Sequence, residues 1–226
     1  QWADQIIYGF ENIFPVYLRP EFAKAIINLP DNISVNVNPK ISYLLLNCFI
    51  DSRIYLTLIP TAYQKWQTQT SSFIDDVLDD LFLLAHGQLT DEPKITFNAK
   101  LTNLPSRFRF GEKLHKTETR TEKETEMIKK ASIDTFINLA ICLSNERVID
   151  YIKEFKNSLS NERIVDQVII QLIVKMANEK PDFFLHNAEV FADCVFPIFF
   201  KETSTSDIYC IEQSILLIVQ KLLPME

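Results

Sequence analysis

A chain of 226 residues, 47% of them hydrophobic, can bury one large core or two small ones. A net charge of −7 and an isoelectric point near 5.1 weigh against a generic nucleic-acid binder. Three glycines, where average usage gives roughly 16, lie far apart at Gly9, Gly87 and Gly111, which excludes a glycine-rich phosphate loop.

Apolar residues recur at helical spacing and prolines punctuate them, so an all-α fold is expected. A first helix spans residues 2–13. Pro20 opens a second and Pro30 ends it. The polar stretch 31–38 is a loop, and Pro39 opens a third helix through Ile50. Asp51 and Ser52 are placed to cap a fourth, ending near Trp66 and kinked or split at Pro60. Ser72 is placed to cap a fifth, with Asp75 at the capping-box position. Phe73, Val77, Leu81 and Leu84 form its apolar stripe, Ile74, Leu78 and Ala85 widen it, and Gly87 stops it.

Residues 88–123 break the rhythm. The runs KITFNAKL and RFRF alternate with period two, which fits a short hairpin or an extended arm. The polar run GEKLHKTETRTEK has no apolar face and reads as a loop. The chain therefore divides into N-terminal helices (1–88), a basic insertion (89–123) and C-terminal helices (124–226), all within a single helical domain.

Helices resume near Glu124 with a stripe of Ile128, Ile133, Phe136, Ile137, Ala140 and Ile141. A short echo follows, Ser144-Asn145-Glu146-Arg147 and Ser160-Asn161-Glu162-Arg163. In each, the serine is placed to cap and the glutamate suits the positive end of the helix dipole. The first copy starts a short helix through Phe155. The second starts a longer one carrying Ile164, Val165, Val168, Ile169, Leu172, Ile173 and Met176 on one face. Pro181 opens the run FFLHNAEVFADCVFPIFF, and a last helix begins at Asp207. Both are apolar nearly all round, so both are expected to be covered on all sides, in the middle of a stack or by parts of the protein outside this chain. Helix pairs here repeat at about 40 residues, a rhythm that resembles HEAT and armadillo-type α-solenoids. That resemblance implies antiparallel helix pairs stacked as an irregular solenoid. Repeated Pro, Asp and Arg at fixed positions, which better HEAT units show, are missing.

The sharpest local motif is Asp75-Asp76-Val77-Leu78-Asp79-Asp80. Positions 75, 76, 79 and 80 are expected on one helical face, where four like charges repel unless a cation answers them. The DDxxD pattern resembles that of the trans-prenyl diphosphate synthases, all-α enzymes in which it holds magnesium and, through it, a diphosphate. The resemblance implies a metal-ligating role for Asp75, Asp76 and Asp79, with oxygen ligands suited to a hard cation. The chain departs from that pattern: LFLLAHG follows the motif with no arginine, and no Asp-Asp pair exists outside it to form a second Asp-rich motif. A solvated acidic helix face is the plainer reading, and neither a metal nor a cofactor is expected.

Between Lys94 and Lys123 eight basic residues stand against three acidic ones. Lys94, Lys100, Arg107, Phe108, Arg109, Phe110, Lys113 and Lys116 are candidate partner-binding residues, because cations interleaved with aromatics can pair with an acidic protein surface or stack on bases. Tyr63 and Trp66, at the polar end of a helix, are candidates for exposed anchors, set against partial burial at a helix junction. His86, His115 and His186 show no metal-ligand spacing, and no nucleophile motif is present. The four cysteines sit in apolar runs without a CxxC, as reduced thiols do, which points to the cytoplasm or nucleus. No apolar run reaches the length of a membrane span. Gln1 is an unusual start, so a piece of a longer protein is expected, whose remainder packs on the C-terminal helices. The expected role is a non-enzymatic scaffold segment of a larger eukaryotic protein that binds protein partners. The alternatives are a metal-dependent diphosphate enzyme and a nucleic-acid or acidic-surface binder.

Overall fold

The computed structural model describes residues 18–30, 37–86, 121–158 and 163–199, with the isolated positions 5, 8, 9, 15, 216, 218 and 220. Helices dominate these residues, and none of them lies in a strand. The chain forms two compact units, Gln1–Leu139 and Ala140–Glu226. The basic insertion, apart from its last three residues, lies outside the described residues, as do most of the first and last expected helices.

The first unit is built around one buried helix. Helix α1 (Arg19–Ile27) carries Pro20 in its first turn, where the missing N–H is not needed, and buries Ala23, Ile26 and Ile27. Helix α2 (Pro39–Ser52) starts with Pro39 behind Asn38, whose side-chain oxygen accepts from the Ile41 amide at 3.0 Å. Its residues Ile41, Leu44, Leu45, Leu46, Cys48, Phe49 and Ile50 are all buried. A helix apolar on so much of its circumference needs neighbours around it. Four supply them: α1, α3 (Ile59–Lys65), α4 (Gln67–Thr70) and α5 (Ile74–His86).

The chain between α2 and α3 corrects the expected start of the fourth helix. Asp51 and Ser52 do not open a helix. They belong to the last turn of α2, where the Ser52 hydroxyl donates to the carbonyls of Cys48 and Phe49. Arg53 then closes α2 in the left-handed region (φ 59°), its amide donating to the Ile50 carbonyl at 3.2 Å, and Tyr55 is left-handed as well (φ 59°). A 3₁₀ turn over Leu56–Leu58 leads into α3, which Pro60 opens from its first turn. The Glu21 carboxylate accepts the Tyr55 hydroxyl, and the Lys24 ammonium lies 4.2 Å from the centre of the Tyr55 ring, which ties this turn to α1.

Helix α5 buries the expected stripe: Phe73, Ile74, Val77, Leu78, Leu81, Leu84 and Ala85. Helix α6 (Glu122–Ala140) begins earlier than expected. The Thr121 amide donates to a Glu124 carboxylate oxygen at 2.8 Å, and the Glu124 amide donates back to the Thr121 hydroxyl at 3.3 Å. This reciprocal capping box places Glu122 and Lys123 inside a helix and shortens the insertion from its C-terminal side. Farther along α6, Phe136 packs against Phe82 of α5, with ring centres 6.1 Å apart.

In the second unit, Ser144 caps α7 (Asn145–Ser158) as its position implies, its hydroxyl accepting from the Arg147 amide at 3.3 Å. Helix α8 (Arg163–Glu179) buries Val165, Val168, Ile169, Leu172, Ile173 and Met176 and packs on α7, α9 (Pro181–His186) and α10 (Ala188–Phe199). The run after Pro181 is two helices and not one. Asn187 leaves helical geometry between them, and its amide side chain donates to the Phe183 carbonyl at 2.9 Å. Lys180 fixes the start of α9, its ammonium 3.0 Å from Asn145 Oδ1 and 3.5 Å from the Leu143 carbonyl.

Candidate functional site

The Asp-rich stretch of α5 does not present one four-carboxylate face. Asp75 and Asp79 are exposed, whereas Asp76 and Asp80, one position on, are half-buried. Successive residues on a helix differ by about 100°, so the stretch forms two i,i+4 rows and the neighbouring α2 takes one of them. Asp76 and Asp80 lie close enough to Tyr43 of α2 to act on its ionisation, as does Asp51 at the end of the same helix. Burial, followed by these carboxylates, pushes the Tyr43 hydroxyl well above its ordinary range, and a hydrogen bond with the Asn47 side chain pulls the other way. The Tyr43 ring meets Phe73 edge-on at 5.3 Å, just before α5 begins. This contact sets the register in which α5 offers its acids to α2.

Among the described residues, no group of three His, Cys, Asp or Glu side chains is placed to share a metal ion, and that search includes Asp75, Asp76 and Asp79. A magnesium-diphosphate site needs several oxygens converging on one point. The two rows of α5 instead divide theirs between solvent and α2.

Tyr63 and Trp66 are buried, at 4% and 7% exposure, so neither stands out as an exposed anchor. Trp66 ends α3 and begins α4, and its carbonyl accepts from the amides of Gln69 and Thr70 and, at 2.9 Å, from the Thr70 hydroxyl. Lys65, beside it, donates its ammonium to the Ile27 carbonyl at 3.3 Å and to the Leu29 carbonyl, covering the end of α1. Lys94, Lys100, Arg107, Phe108, Arg109, Phe110, Lys113 and Lys116 lie outside the described residues.

Cys48 of α2 is buried, and that burial, reinforced by Asp51, raises its thiol well above the ordinary value, so it stays protonated. Cys142 is half-buried and Cys194 is buried, and neither is in a disulfide. No helix among the described residues is long and apolar enough to cross a membrane.

The surface missed in the sequence lies on α9 and α10. A helix apolar on all sides was expected to be covered on all sides, yet Leu185 and Phe196 are 50% and 51% exposed. Phe184 and Phe191 take the inward positions, their rings stacked with centres 5.2 Å apart and planes within 6°. The outward positions also hold Asp182, Glu189 and Asp193. The spacing of these acids was the available signal, because charged residues mark the side of an otherwise apolar helix that meets water. No family model, curated protein or solved structure matches the chain.

Proposed function

We propose that this chain is a non-enzymatic protein-interaction scaffold segment of a larger eukaryotic, intracellular protein or complex. In this reading its helix pairs stack as an irregular solenoid of the HEAT or armadillo kind. The supporting observation is the set of large apolar side chains that stand half exposed or more: Ile54 on the turn after α2, Met127 on α6, Leu185 on α9 and Phe196 on α10. One exposed apolar residue is ordinary on any surface. Several, held on helices whose inner faces are fully packed, suit contact with another protein. Packing between sequence neighbours, α1 on α2 and α7 on α8 on α9, favours stacking.

Photocrosslinking residues placed at Met127, Leu185 and Phe196 of the full-length protein test this reading in cells. The expected result is a discrete crosslinked protein that re-forms a complex with this chain when both are purified. Crosslinking no stronger than at the exposed control position Glu146 would overturn the reading. So would turnover of a small substrate that maps to single polar residues.

A further inference from the structure

We infer that the outer face of α9 and α10 docks a cationic amphipathic helix of a partner protein, an inference that rests on the scaffold reading and gives it a surface. The face follows from the burial pattern on each helix. Leu185 of α9 lies about 100° from the inward Phe184, and Phe196 of α10 about 140° from the inward Phe191, so each stands on the outer side of its own helix. Asp182 of α9 and Glu189 and Asp193 of α10 are exposed as well. Phe183, Phe184 and Phe191 occupy the other side, where Phe191 meets Phe183 edge-on at 6.3 Å and stacks on Phe184.

The charge on this face is one-sided. Residues 181–199 hold three carboxylates and no lysine or arginine. All three carboxylates are exposed, and none makes an ion pair with a described residue. Lys180, the nearest described cation in sequence, is committed to Asn145 and the Leu143 carbonyl. The face therefore offers negative charge and two exposed apolar side chains, one on each helix. A helix with an apolar stripe flanked by lysine or arginine matches both. Its apolar side chains bury Leu185 and Phe196, and its cations meet the carboxylates. A second copy of this chain would bring the same three carboxylates against these, which opposes self-pairing through the face.

The test uses the full chain and a fluorescein-labelled 18-residue helical peptide with a leucine stripe flanked on both sides by lysine, read by fluorescence anisotropy. The peptide is expected to bind with an affinity that falls as salt rises. Leu185→Asn with Phe196→Asn, both exposed and so harmless to folding, is expected to weaken binding by roughly tenfold or more. Asp182→Asn with Glu189→Gln and Asp193→Asn is expected to weaken it as well. A matched triple on α6, Glu122→Gln with Glu126→Gln and Asp134→Asn, is expected to leave it unchanged. The inference is overturned if the peptide does not bind, if the apolar pair has no effect, or if the α6 triple acts as strongly as the α9–α10 triple. Dimerisation of the chain that Leu185→Asn abolishes would overturn it too, because the occupant would then be a second copy. A partner crosslinked at Met127 while this face stays silent would refute the inference alone and leave the scaffold reading standing.

Discussion

Phe184→Ala tests whether α9 turns the stated side inward. Phe184 has no exposed surface and stacks flat on Phe191. Removing a fully buried phenylalanine ring costs about 3–5 kcal/mol, from lost transfer energy and from the cavity left behind. Collapse into that cavity is limited here. Helix α9 has six residues, Lys180 holds its start to the Leu143–Asn145 turn, and Asn187 closes its end on the Phe183 carbonyl. With little room for α9 to sink, the upper part of the range applies, about 4 kcal/mol. Of this, about 1 kcal/mol belongs to the ring pair and is separable in a double-mutant cycle with Phe191→Leu. Urea unfolding followed by circular dichroism gives the total, and amide exchange along α8 to α10 locates it. Leu185→Ala, one residue on and half exposed, is expected to change stability by less than about 0.5 kcal/mol. Equal costs at positions 184 and 185 would show that α9 is not oriented as described, and the docking face argued from that orientation would fail with it.

Ser144→Ala removes the hydroxyl that accepts from the Arg147 amide and is expected to lower stability by about 1 kcal/mol, measured by urea unfolding; Ser144→Asn, which can still cap, should recover most of it. Tyr43→Phe is read against pH. The Tyr43 hydroxyl is held above its ordinary value of 10.0, so above about pH 10 the unfolded chain loses a proton that the folded chain keeps. Its contribution is fully present below that pH and declines as pH rises beyond it, by at most about 1.4 kcal/mol per pH unit. The variant should therefore show a shallower alkaline decline than the parent chain. Cys48, raised from 9.0, leaves a shared slope in both that begins lower, near pH 9. Parallel declines above pH 10 would refute the placement of Tyr43.

Legibility in the sequence followed the strength of local pattern. The stripe of α5 was readable because seven apolar residues repeat on one face, and each of them is buried. The prolines at 20, 39 and 181 announced three helix starts, because the first turn is where a missing N–H costs least. Thr121-Glu122-Lys123-Glu124 matched the capping box as well, yet it stood in a polar run with no apolar stripe behind its first turn, so periodicity gave no reason to begin a helix there. Asp51 and Ser52 look like the start of a helix by composition. What makes them an end is the left-handed geometry of Arg53, a residue type that seldom adopts it and so gives no warning. Trp66 was legible as a junction, and the depth of its burial depends on how neighbouring helices pack, which no spacing rule reports.

The two acidic features of the chain separate for one physical reason. A motif such as DDxxD is written along the sequence, whereas ligand chemistry needs groups that converge in space. On α5 the helix sends 76 and 80 toward a neighbour and 75 and 79 toward water, because the first pair lies about 100° from the second. Tyr43 of α2 lies within electrostatic reach of both members of that inner row. On α9 and α10 the acids are sparser and fit no motif. They share an exposed side with two apolar side chains, and the residues opposite them are locked into the core by the Phe184–Phe191 stack. An acidic run whose inner half already answers a neighbouring helix has less left to offer a ligand than a looser set that all faces outward.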